Sequence, residues 1–103
     1  MRAKCYRRDA TPITGPNATL EWAEEFERAD RQICRDELPG NVRVSTVFLG
    51  VDHNYGETGP PLIFETMIFG GEHDDYQERY ATEVEARVGH ARALALAKGE
   101  ATP

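Results

Sequence analysis

Residues 42–71 constrain this chain more than any other stretch. They read VRVSTVFLGVDHNYGETGPPLIFETMIFGG, two runs of β-branched and aromatic residues around a polar loop with several Gly and Pro. That pattern is a long β-hairpin, and no other segment has the composition to form the centre of a sheet. The first run alternates Val42 and Val44 with Arg43 and Ser45. From Thr46 onward it becomes largely apolar on both sides, as a strand does when it enters a covered interior. Strands are expected over 42–51 and 62–69, because Pro60 and Pro61 cannot donate to a ladder any earlier. The connection 52–60 exceeds the usual hairpin loop of roughly two to five residues.

The flanks supply the other elements. Residues 2–8 form a short strand, Asp9-Ala10-Thr11-Pro12 a turn, and Ile13 an apolar anchor. After the breakers Thr14-Gly15-Pro16-Asn17, with Asn17 or Thr19 as cap, a helix is predicted over 20–34. Its buried stripe is Trp22, Phe26, Ala29 and Ile33, with Glu24–Arg28 and Glu27–Arg31 as i,i+4 pairs. Leu38-Pro39-Gly40-Asn41 then stops the chain and turns it. Beyond Gly70-Gly71 and the hydrophilic Glu72-His73-Asp74-Asp75, residues 76–81 make an amphipathic strand. Thr82 with Glu85 is a capping box for a second helix. Val84, Val88, Ala91 and Ala95, with Leu94, form its expected buried stripe, and Lys98-Gly99 closes it, leaving a frayed tail.

The expected fold is therefore α+β: a two-layer sandwich of order β-α-β-β-β-α, with both helices on one face of an antiparallel sheet of three or four strands. Apolar residues on both faces of the central strands leave one face as an interface, and a homodimer through the sheet is the plain expectation.

The chain has 103 residues and reads as one domain, 1–103. A net charge of −6 argues against direct nucleic-acid binding, which depends on cationic contacts to phosphate. An acidic surface suits a basic patch on a protein partner, or solubility alone. No run is long and apolar enough to span a bilayer, and the basic N-terminus lacks the apolar core of a signal peptide. Cys5 and Cys34 fit free thiols in a reducing compartment, so a cytoplasmic location is expected.

Chemistry-bearing residues concentrate in the loop, at Asp52, His53, Asn54 and Tyr55, and in the second strand, at Glu65. A metal site that adds His73 and Asp74 is disfavoured, since strand length separates the two hairpin ends by roughly 25 Å. No HxH or HExxH spacing occurs, so neither metal nor cofactor is expected. Turn chemistry alone explains Asp-His-Asn, with His53 packed on Tyr55 or the Pro60-Pro61 pair. Glu65 faces solvent, or pairs with Arg43 or Arg79, or is a proton-transfer group or interface charge. His90 reads as a boundary residue, and Gly89 beside it permits close packing. Ser45, the only serine, has no His or Asp at a recognisable offset, and neither cysteine has a nucleophile's context.

The segments VSTVFLGVDHN and GPPLIFETMIFG resemble a family of small uncharacterised proteins of bacteriophages and prophages. Weaker similarity extends to Tyr6, Pro12-Ile13, Glu21-Trp22-Ala23, Tyr80-Ala81-Thr82 and Gly89-His90. The resemblance implies a phage or prophage origin and a role in the host cytoplasm, and it brings no catalytic residues. The leading expectation is an accessory protein that is more a binder than an enzyme. It would bind a host or phage macromolecule, with inhibition of a host defence complex as one form, through Asp52, His53, Asn54, Tyr55 and Glu65. The alternatives are a small metal-dependent hydrolase using Asp52, His53 and Glu65, and a structural homo-oligomerisation module.

Overall fold

The computed structural model describes residues 3–28, 31–56 and 58–99. In chain order the elements are β1 (Cys5–Tyr6), β2 (Pro12–Ile13), α1 (Ala18–Arg28), β3 (Gln32–Leu38), β4 (Val42–Phe48), β5 (Phe64–Phe69), β6 (Gln77–Tyr80) and α2 (Glu83–Ala97). The fold is α+β. A four-stranded antiparallel meander, β3-β4-β5-β6, is accompanied by the two-stranded β1-β2 pair.

The expected hairpin is present as β4 and β5, paired from Arg43↔Phe69 to Phe48↔Phe64. The expected fourth strand is β6, and Thr82 caps α2 by accepting the Glu85 amide at 3.2 Å. The frayed-tail expectation falls on residues 100–103, outside the described residues.

Three expectations require correction. First, the helix expected over 20–34 ends at Arg28, and Ile33 and Cys34 belong to a strand. The Ala29 position of its stripe lies outside the described residues. Arg31 is off the helix, so the Glu27–Arg31 helix pair does not exist; its guanidinium lies over the Phe26 ring instead. Residues 32–38 gain a ladder with β4 that a continued helix would forgo, and tertiary pairing overrides local propensity. Pro39-Gly40-Asn41 is therefore a hairpin turn rather than a helix stop, with Gly40 and Asn41 both at positive φ.

Second, α2 is rolled away from its expected face. It buries Ala86, Gly89, His90 and Ala93, while Val84 is 74% and Val88 55% exposed. Small side chains let the helix axis approach the sheet. A Cβ on Gly89 would sit 2.1 Å from the Tyr80 hydroxyl, so no other residue fits this approach unaltered.

Third, the two helices do not share the sheet face. α2 touches β3, β4, β5 and β6, whereas α1 touches β1 and β2. α1 meets the end of the sheet through Phe26, whose ring centroid lies 6.3 Å from that of Phe48. Trp22 and Phe26, both half-buried, stack on one another at 4.9 Å and close over Gly50.

The register sorts side chains into cross-strand rows. Beneath α2 run an aromatic row, Phe48-Phe64-Tyr80, a middle row containing Thr46 and Thr66, and an aliphatic row with Val44 and Ile68. The apolar clusters follow these rows. Tyr6, Ile33, Phe48, Ile63, Phe64, Tyr80 and Ala86 pack at one end, and Val44, Ile68 and Ala93 at the other. The opposite face carries the rows Gln32-Val47-Glu65-Arg79 and Arg35-Ser45-Met67-Gln77, then Glu37-Arg43-Phe69. Among the described residues, no helix or strand lies across that face.

Candidate functional site

The loop after β4 is built by its own polar side chains. Asp52 is buried, and its Oδ1 accepts the amides of Asn54 at 2.7 Å and Leu62 at 3.0 Å. Its main-chain amide donates to Lys4 O at 2.7 Å, tying the loop to the N-terminal segment. His53 Nδ1 lies 2.8 Å from Val51 O; a carbonyl only accepts, so Nδ1 carries the proton. Asn54 Nδ2 donates to Thr58 O and Pro60 O, and Asn54 Oδ1 accepts the Gly56 amide. These are the turn-forming bonds that short polar side chains make with nearby backbone. Tyr55 stands 79% exposed, its ring centroid 6.0 Å from that of His53.

Glu65 lies on the open sheet face yet is buried to 8% exposure. Its Oε2 accepts from Gln77 Nε2 at 2.7 Å and from Arg79 Nε at 2.9 Å, both on β6. Cross-strand pairing places Arg79 directly opposite, which is how a carboxylate survives in an apolar strand. Asp52 is thus committed to backbone at the sheet's end, and Glu65 to side chains on its face. Among the described residues, no three His, Cys, Asp or Glu side chains gather closely enough to hold a metal ion. Asp74, at the far end of β5, accepts the Gly70 amide.

Sequence reasoning passed over two further constellations. One is a buried polar belt. Thr46 Oγ1 lies 2.7 Å from His90 Nδ1 and also bonds Thr66 Oγ1, while His90 Nε2 lies 2.7 Å from Asp36 Oδ2. Acid, imidazole and hydroxyl are ordered as in a nucleophile relay, but Thr46 and Thr66 are wholly buried, so no substrate reaches either hydroxyl. The belt joins α2 to β3, β4 and β5. Asp36 is hidden in the sequence because the segment around it reads as the end of a helix and a turn; the polar Thr46 and Thr66 inside apolar strands are the visible signal.

The other is a groove on the open face above β3 and β4, where Arg31, Arg35 and Arg43 line a depression of about 620 Å³. Its signal in the sequence was weak, because its arginines are spread over two strands and a loop. As for nucleophiles, Ser45 Oγ accepts from Gln32 Nε2 at 3.2 Å, and burial raises the Cys5 pKa, disfavouring its thiolate.

No family model matches the chain, and neither a curated protein nor a solved structure matches it.

Proposed function

We propose that this protein is a small accessory protein of phage or prophage origin that binds a host or phage macromolecule in the host cytoplasm through the open face of its sheet. One observation carries the reading: α2 covers one face of the four-stranded sheet, and among the described residues no element covers the other, which presents Val47, Met67 and Phe69 among charged side chains. A face of mixed aromatic, methionine and arginine character has the composition of binding surfaces rather than of inert ones. Glu65 lies on that face as formed, self-satisfied structure, and the Asp52–Tyr55 turn beyond the end of β4 holds Tyr55 out as an exposed aromatic anchor. Inhibition of a defence complex is one activity such a surface supports, and association with a second copy is another use of it.

The test is capture from a bacterial host lysate by the tagged protein and by two variants. Met67→Glu places a charge on the open face, and Val88→Glu places one on the outer face of α2. A stoichiometric partner lost with Met67→Glu and kept with Val88→Glu supports the reading. A partner lost equally with both, or kept by both, refutes it. So does the absence of any partner at low salt, combined with a monomeric mass in solution.

A further inference from the structure

The arginine groove differs from the rest of this acidic molecule. Arg31 Cζ lies 4.5 Å from the Phe26 ring centroid, and Arg43 Cζ lies 4.5 Å from that of Phe69. Stacking holds each guanidinium plane in place while leaving its N–H edge able to donate. Among the described residues, neither has a carboxylate partner, whereas Arg35 is paired with Glu37 at 2.6 Å. Ser45 Oγ already accepts from Gln32, so its own hydroxyl hydrogen remains to be donated. The groove is therefore lined by hydrogen-bond donors of the kind that bind an oxyanion.

A second feature adjoins it. β3 forms one wall of the groove and is also an edge of the sheet, with no strand on its outer side among the described residues. Its register break at Gln32/Cys34 leaves residues 34–38 as the regular part of that edge. An exposed edge offers main-chain donors and acceptors to an extended peptide, and side-chain period two sends alternate residues of that peptide toward one face.

We propose that the groove and the β3 edge together dock an extended acidic segment of a protein partner. The segment adds to β3 and turns alternate carboxylates toward Arg31, Arg43 and the Ser45 hydroxyl. This rests on the open-face reading and names the partner's chemistry. A polynucleotide fits less well, because a long polyanion would also meet the rest of a chain with 18 acidic and 12 basic residues. A short acidic strand meets the groove and, on the open face of β3, one acidic side chain, Glu37, which is already paired with Arg35.

The experiment is an amide chemical-shift titration of the full chain. The probe is a capped peptide of about eight residues alternating glutamate and threonine, long enough to span an edge strand. The controls are the same peptide with glutamine for glutamate, and inorganic phosphate. The expected result is a saturable response in β3 and around Ser45 with the acidic peptide alone. It should weaken about tenfold in Arg31→Gln or Arg43→Gln, as loss of a charge-assisted hydrogen bond predicts. Both variants alter side chains outside the core, and their spectra report whether the fold is retained. No response, an equal response to the glutamine peptide, or a response unchanged in both variants overturns the proposal. Phosphate that reproduces the shifts and displaces the peptide also overturns it, leaving a simple anion site. If a lysate partner is lost with Met67→Glu but the acidic peptide fails to bind, the open-face reading stands and this one falls. If the peptide binds as described and no lysate partner is found, the groove chemistry stands and the reading of a host-lysate partner falls.

Discussion

His90 and Asp36, 54 positions apart in sequence, meet at 2.7 Å where α2 crosses the edge of the sheet. The contact sets the direction of every hydrogen bond behind it. The Asp36 carboxylate only accepts, so His90 Nε2 carries a proton. In the neutral ring Nδ1 then accepts from Thr46, and Thr46 in turn accepts from Thr66. The belt opens to water only at its Asp36 end, where that side chain is 46% exposed.

Because the belt is cooperative, its hydroxyls should not contribute independently. Thr46→Val keeps the shape but leaves His90 Nδ1 and the Thr66 hydroxyl unpaired in the interior, and should cost about 1–3 kcal/mol. Thr46→Val combined with Thr66→Val should cost less than the sum of the two single changes. Urea unfolding of both single variants and the double variant decides this; strict additivity would show that the belt does not act as a unit.

The approach of α2 to β6 rests on Gly89. Gly89→Ala would gain helix propensity, yet its Cβ would lie 2.1 Å from Tyr80 Oη and 2.3 Å from Cζ. Overpacking of this kind costs roughly 1–3 kcal/mol, more than the gain in propensity. Tyr80 Oη is buried beside Thr66 but makes no hydrogen bond of regular geometry among the described residues, so Tyr80→Phe should be close to neutral or stabilising. Thermal unfolding of the two variants should move Tm in opposite directions, or leave it unmoved for Tyr80→Phe. A fall for Tyr80→Phe equal to that for Gly89→Ala would contradict the packing account.

The outward stripe of α2 makes a complementary prediction. Val84→Lys and Val88→Glu alter side chains that are mostly in water and should change stability by no more than about 0.5 kcal/mol. Ala93→Leu, at a position with 0% exposure, should destabilise by roughly 1–3 kcal/mol. Denaturant midpoints for the three variants report which face of the helix meets the sheet.

The Arg8 hydrogen bond to Glu83, with further help from Arg87, holds the Glu83 carboxyl below the usual carboxylate range. A carboxylate whose pKa is depressed on folding contributes stability above its unfolded pKa, and loses it as pH falls through the folded one. Both partners are about one-third or more exposed, so the contribution should stay below about 1 kcal/mol at neutral pH. The stability gap between the wild-type chain and Glu83→Gln should close as pH drops below the carboxylate range. A gap independent of pH would show that the ion pair does not stabilise the fold.

Asp52 should control the loop. Asp52→Ala deprives the amides of Asn54 and Leu62 of their acceptor. Stability should fall by about 1–3 kcal/mol, and exchange of the Leu62 amide with solvent should speed up before that of the β4 and β5 ladders. Leu62 exchange that is unchanged relative to the ladders would remove Asp52 from this role.

Period and composition alone made the β4–β5 hairpin, the amphipathic β6 and the Thr82 cap legible, since each depends on residues close together in sequence. The same holds for Asp52 and Asn54, whose side chains bond backbone a few residues away. What lay beyond reach depended on partners distant in sequence. Residues 32–38 carry no strong local preference and became a strand because β4 offered a ladder. α2 has apolar residues on two faces, and the choice of Ala86, Gly89, His90 and Ala93 over Val84 and Val88 followed from how closely a helix of small residues can approach a sheet. Glu65 found Arg79, and His90 found Asp36, only once strand register had brought them together. Local chemistry set the elements of this protein, and packing between them decided which residues are buried, which are paired and which face remains open.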